Sequence, residues 1–305
     1  MHKYIVRRFF QSLLALLVLS MLIFLMSRMT GDPTMLMLPD DASREDMARL
    51  RQALGLDRPL PIQYWVFLRN AVQGDFGRSI KGQMPVIDMI KERLPNSIKL
   101  AAVALCIAVL LAFPLGVVAA VKKDTALDTV ANIVAVLGQS LPQFWVGIVL
   151  IQIFAVRLRW LPVAGVGSVA HYVLPAFTLG WFVVAGMMRL LRSSMLDVLG
   201  SEFVKLARIK GLPGRKVIWK HALRNALIPV LTFGAIYLAI LVTGAILVET
   251  VFAWPGIGQL IYQGIVFRDF PVVQAVVLLT AAIVIAVNLL VDITYAYIDP
   301  RIRYS

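Results

Sequence analysis

Six stretches of this 305-residue chain stay apolar for about 20 residues each, the length an α-helix needs to cross roughly 30 Å of hydrocarbon. In that medium no water satisfies the backbone, so a spanning segment must close its own hydrogen bonds, as a helix does. The sequence therefore predicts an all-α polytopic membrane protein. The expected spans are Phe9–Ser27, Ile98–Val121, Val130–Val156, Tyr172–Leu191, Ile228–Val251 and Val272–Ile293. Pro114, Pro142 and Pro175 fall inside them, as packing kinks or as gates. Composition agrees: 60% of residues are hydrophobic, against about 45–50% in a soluble domain. The first run is longer than the roughly 7–15 residues of a signal-peptide core, and no small-residue cleavage site follows it, so it reads as an uncleaved span.

Charge sets the expected orientation. The net charge is +13, and in a membrane protein Lys and Arg mark the cytoplasmic side. A cytoplasmic N-terminus puts Lys3, Arg7, Arg8, Lys122 and Lys123 inside, together with nine basic residues between Arg189 and Arg224, and Arg301 and Arg303 of the tail. The two short outer loops then hold only Arg157, Arg159 and Arg268. Both termini are expected in the cytoplasm. The long segment after the first span is outer, and it carries its own helix signals. Ser43 is placed as an N-cap with Asp46 three residues on, Gly55 stops that helix, and Pro59 and Pro61 precede a second amphipathic stretch, "IQYWVFLRNAV". Two short surface helices follow, as a structured lid or as a substrate contact.

Several chemistries are absent. The chain has no phosphate-binding P-loop, no H-E-x-x-H and no G-x-S-x-G. His2, His171 and His221 lie in separate loops, and the single cysteine, Cys106, sits within an apolar run as a packing residue. The acids in the expected spans, Glu249 and Asp292, stand near span ends. An ion-coupled carrier would place ionisable groups near the midplane, so the driving force is expected elsewhere.

The loop "RLLRSSMLDVLGSEFVKLARIKGLPGRKVIWKHALR", from Arg189 to Arg224, contains a compact helix. Ser201 is placed to cap it, Glu202 suits its positive first turn, Gly211 suits a left-handed C-terminal turn, and Pro213 prevents continuation. Phe203, Leu206 and Ala207 share a face by i, i+3, i+4 spacing, with Lys205, Arg208 and Lys210 around the remainder. Two to three turns are too short to persist alone, so something packs on them. Anionic lipid would attract the charge. Nucleic acid is disfavoured by the lack of an aromatic stacking platform. A cleft in a partner protein accounts for the apolar face as well.

"EFVKLARIKGLPGRKVIWKHALRNALIPV" resembles the cytoplasmic-loop signature of binding-protein-dependent ABC importer permeases of the dipeptide, oligopeptide and nickel subfamily. That signature, E-[FY]-[VI]-x-x-A-R-x-K-G followed by H-x-L-R-N-x-x-x-P, is matched at Glu202, Phe203, Val204, Ala207, Arg208, Lys210, Gly211, His221, Leu223, Arg224, Asn225 and Pro229. The broader permease pattern E-A-A-x-x-x-G is met only at Ala207 and Gly211. Further stretches are similar in order: "GDP" at Gly31–Pro33, "GDFGRSI", "GQSLPQFWVG", "ETVFAWPGIGQLI" and "NLLVDITYAYIDPRIR".

The resemblance implies a type I ABC importer permease fold in a bacterial inner membrane. Its parts would be a first span in 1–29, a periplasmic segment in 30–96, a transmembrane core with five spans in 97–296 and a cytoplasmic tail in 297–305. It implies a second homologous permease chain, two ATP-binding subunits of one or two kinds and an extracytoplasmic substrate-binding protein. ATP and Mg would act on the partners, with no catalytic residue, metal or cofactor in this chain. The helix at about 201–211 would be a coupling helix seated on an ATPase. Glu202, Ala207, Arg208 and Gly211 are its key positions, Phe203 and Leu206 supply apolar contact, and Lys205 joins the basic residues that meet acids. The implied cargo is di- or oligopeptides, with glutathione, nickel or a nickel chelate, or another small solute as the alternative. Glu249, Trp254, Pro255 and Gly256 are outer-loop or substrate-path candidates. Pro255, Gly256 and Gly258 would set tight turns there, while Phe252 and Trp254 would anchor at the membrane interface.

Overall fold

The computed structural model describes residues 2–29, 34, 43–243 and 245–298. Gly31–Pro33, the tail beyond 298 with Arg301 and Arg303, and the side chains of Lys3 and Asp292 lie outside the described residues. Within them the regular structure is helical, apart from one isolated bridge between Arg78 and Pro85. The helices are α1 (His2–Met29), α2 (Arg44–Ala53), α3 (Leu60–Val72), α4 (Val86–Val121), α5 (Ala126–Ser140), α6 (Gln143–Arg157) and α7 (Ala170–Leu199). They continue with α8 (Glu202–Ile209), α9 (Gly214–Val242), α10 (Ile246–Val251), α11 (Ile257–Val266) and α12 (Phe270–Ile298).

Five helices are long and apolar enough to cross a membrane, and α5 with α6 make a sixth if the bent pair is one span. Three departures from the expected spans have local causes. The second span is only part of a 36-residue helix, because hydropathy marks the stretch that suits lipid, whereas an amphipathic helix already begins at Val86. The third is broken, with α5 and α6 meeting at 105°. Pro142 has no N–H to donate, and it holds Leu141 extended at φ −83°, ψ 131°. The fifth, carried by α9, ends at Val242, and the chain restarts at Ile246 as α10. The ten-residue α11 is an addition that the span reading did not contain.

The chain divides into two compact units, one of Met1–Asn96 with Gly256–Ser305, the other Ser97–Pro255. In the first, α1 packs along α12, α11 lies on α12, and α3 meets α1. The Phe24 ring stands 5.5 Å from Tyr64 and 5.8 Å from Phe67, and the Ser20 and Tyr64 hydroxyls are 2.9 Å apart. The capping box of α2 forms as the sequence predicts: Ser43 Oγ accepts from the Asp46 N–H, and Asp46 accepts from the Ser43 N–H. A buried carboxylate, Asp269, accepts from the Ser79 hydroxyl and from the N–H groups of Ile80 and Lys81, pinning that loop.

In the second unit α7 is the hub, against which α5, α6, α9 and α10 pack. Its buried residues include Leu179, Met187, Met188, Leu191 and Met195. Close approach requires Gly180, since a Cβ there would stand 2.7 Å from the Ala104 carbonyl oxygen. An ion pair ties α5 to α7: Arg192 donates from Nε and Nη2 to the two oxygens of Asp128 at 2.6 and 2.7 Å. Asn132 Nδ2 and the Asp124 N–H complete the shell of that buried carboxylate.

Candidate functional site

The helix α8 begins and ends as its sequence demands, with one correction. Ser201 is the N-cap residue by backbone, at φ −72° and ψ 153°, but its side chain caps nothing. Its hydroxyl donates back to the Val198 carbonyl at 2.5 Å, and the tight Gly200–Ser201 corner favours that partner. Glu202 stands in the first turn and accepts from Lys205 Nζ at 2.7 Å, an exposed pair. At the other end Gly211 takes φ +76°. The Gly211 N–H reaches the Arg208 carbonyl at 2.9 Å and the Leu212 N–H reaches Ala207 at 3.3 Å. These two bonds form a Schellman motif, and Leu212 supplies the hydrophobic contact that goes with it.

The apolar face differs from the expected one. Val204 and Ala207 are buried with Val217, against Val198, Leu199 and Leu212. Phe203 and Leu206, expected beside Ala207, turn away and are 44% and 56% exposed, and Ile209 is 80% exposed. At 100° per residue Val204 and Ala207 bracket one direction, while residues 203, 206 and 209 follow a second stripe. The helix thus has an anchoring face and a free apolar face. Lys205, Arg208 and Lys210 are exposed around that free stripe, and Arg215, Lys216 and Lys220 are exposed further along the chain. Phe203, Leu206 and Ile209 are thus presented at the surface while Val204 and Ala207 keep α8 on its own scaffold.

The outer-loop candidates sit differently from the expectation. Glu249 is fully buried and accepts from Ser97 Oγ at 2.6 Å. Trp254 is also fully buried, edge-on to Tyr172 at 4.7 Å between ring centres, and Phe252 is 2% exposed. Neither aromatic is an interfacial anchor. Large rings that can reach the core bury more area there than at a surface. The backbone N–H of Trp254 donates to the Glu249 carbonyl, and the Gly165 N–H donates to the Phe252 carbonyl. The turn strain falls on Ala253, at φ +44°, and not on glycine. Pro255 is half-buried, and Gly256 is the extended N-cap residue of α11, at φ −114° and ψ −174°. Gly258 lies inside that helix.

Sequence reasoning counted Arg192 among loop cations and passed over Asp128. The available signal was an acid at the head of a span with an amide four residues on, Asn132, a pair that shares one helix face. No group of three or more His, Cys, Asp or Glu able to hold a metal occurs among the described residues.

Two family profiles match the chain. Residues 112–304 match the binding-protein-dependent transport system inner membrane component, and residues 1–101 match the N-terminal part of such membrane components. The glutathione transport system permease protein GsiC of Escherichia coli (strain K12) is 42% identical over 306 residues, covering 100% of both chains. The protein of the same name from Shigella boydii serotype 4 (strain Sb227) is 41% identical over the same length. Among solved structures, the MetNI methionine ABC transporter in inward-facing conformations matches with a TM-score of 0.59 at 17% identity, over 69% of this chain and 96% of the other. An amino acid ABC transporter crystallised with histidines matches at 0.56 and 11%, over 69% and 94%. These structural likenesses bear on the fold alone.

Proposed function

The chain belongs to the binding-protein-dependent transport system inner membrane components, and we propose that it forms half of an ATP-driven import path for short peptides, glutathione among them. It is an inner-membrane, multi-pass permease subunit. In this reading a second homologous permease completes the path, two ATP-binding subunits dock beneath, and an extracytoplasmic receptor delivers cargo. ATP is hydrolysed on the partners, and α8 is the coupling helix. The observation that carries the reading is the free apolar stripe of Phe203, Leu206 and Ile209, flanked by Arg208 and Lys210, on a helix anchored through Val204 and Ala207. A groove on an ATPase with an apolar floor and acidic rim would accept it. The full-length likeness to glutathione permeases supports the cargo class.

The test has two arms. Co-expressed with its ATPases, the Leu206→Asp variant places a charge in the middle of the stripe and should fail to co-purify with them, while Val204 and Ala207 keep the helix seated. The complete importer in liposomes should take up glutathione or dipeptides only with ATP and the liganded receptor. Uptake by this chain alone on an ion gradient would overturn the reading, as would intact assembly of Leu206→Asp with the ATPases.

A further inference from the structure

Midway along the bent pair α5–α6, at Leu141 and Pro142, the second unit holds a cavity of about 410 Å³. Its size lies in the range of roughly 300–1,000 Å³ usual for small-molecule sites. Gln139, Ser140 and Gln143 bring carboxamides and a hydroxyl to it, and Phe182 and Tyr237 form an aromatic wall. We propose that this elbow is a cargo-contacting notch on the import path, holding the amide groups of a peptide backbone through neutral hydrogen bonds.

Four observations converge on it. A break at Pro142 leaves carbonyls at the end of α5 without the next turn's N–H groups. Irregular backbone at membrane depth persists only where protein buries it or water reaches it. Here Gln139, Ser140 and Pro142 are exposed on the chain, so its own helices do not cover them. Three polar side chains, Gln139, Ser140 and Gln143, cluster within five positions at that break. Arg189 Nη1 donates to Gln139 Oε1 at 2.6 Å, which fixes the amide and turns its NH₂ group to donate elsewhere. The Phe182 and Tyr237 rings are 5.9 Å apart, and Tyr237 stacks on Phe233 at 4.2 Å, a rigid surface for a passing side chain.

The chemistry selects the ligand class. No acidic or basic side chain lines the cavity among the described residues. A carboxamide both donates and accepts, so it pairs with a peptide N–H and C=O alike. Such a lining holds a peptide backbone, with the Arg189 guanidinium bonded to Gln139 beside it. It lacks the imidazole, thiolate and carboxylate donors with which proteins commonly hold a transition-metal ion such as nickel.

The inference rests on the peptide-importer reading, and the experiment separates the two. The assembled importer, with receptor and ATPases, is compared in liposomes as wild type and as Gln139→Leu/Gln143→Leu, using glutathione and a neutral dipeptide. Cargo imported per ATP hydrolysed should fall about 3- to 10-fold for each carboxamide whose hydrogen bond is lost. An unchanged ratio, with the wild type active, would overturn the notch alone. Absence of ATP-driven peptide uptake by the wild type would overturn the peptide-importer reading and the notch with it. An independent measurement uses Ser140→Cys in a Cys106→Ser background. A membrane-impermeant maleimide should label it in the assembled importer, more slowly when liganded receptor and ATP are present. No labelling in any state would overturn the inference, because a buried elbow contacts no cargo.

Discussion

Replacing Asp128 by Ala should destabilise this chain more than a change at any exposed charge. The carboxylate side chain is 6% exposed and holds Arg192 by two bonds, while Arg192 itself is 22% exposed. Removing one partner of a buried pair costs about 3–5 kcal/mol, because the other charge is left uncompensated. Water at the partly open guanidinium moderates this, so the lower end, about 3 kcal/mol, is expected. For about 150–250 residues each kcal/mol lowers Tm by roughly 2–4 °C, which gives a fall of about 6–12 °C for the purified protein in detergent. Arg192→Met removes the cation instead and leaves the carboxylate two partners, Asn132 and the Asp124 N–H. The double variant removes both charges and should melt above Asp128→Ala. The assay is thermal unfolding of all four proteins in one detergent. Additive losses in the cycle would refute the argument, since a true pair leaves a coupling term of about 0.5–3 kcal/mol.

Two further outcomes follow from backbone geometry. Gly211 is at φ +76° with nothing within 4 Å of an added Cβ. Gly211→Val should therefore cost about 1–2 kcal/mol through conformation alone, and Gly211→Asn less, read as protease sensitivity of the 200–215 loop. Gly180→Val must push Ala104 away from 2.7 Å. It should cost about 1–3 kcal/mol or more and lower the yield of monodisperse protein, with Gly180→Ala intermediate.

Much of this was legible from residue patterns. The apolar runs located the spanning helices because lipid imposes a length, and the caps at Ser43, Gly55 and Gly211 located helix ends because backbone geometry imposes residue types. What escaped the sequence was partnership across the fold. The pattern at 203, 206 and 207 said only that the short helix is amphipathic, and only the position of Val217 and Leu212 decided that Val204 and Ala207 face inward. The same holds for Trp254, whose preference for an interface or a core is settled by its ring meeting Tyr172 rather than by its neighbours in the chain. Pro142 announced a disturbance, but its size, a turn of 105°, belongs to the packing of α5 and α6 on α7.

The separation of faces on α8 makes the two stripes independent of each other. Val204, Ala207, Val217 and Leu212 hold the helix in place, and Phe203, Leu206 and Ile209 take no share in that cluster. Substitutions on the outer stripe can thus accumulate, or be grafted from a relative, without loosening the scaffold beneath. On the coupling role proposed above, a chain built this way would change allegiance between motors by rewriting three apolar positions and the cations around them.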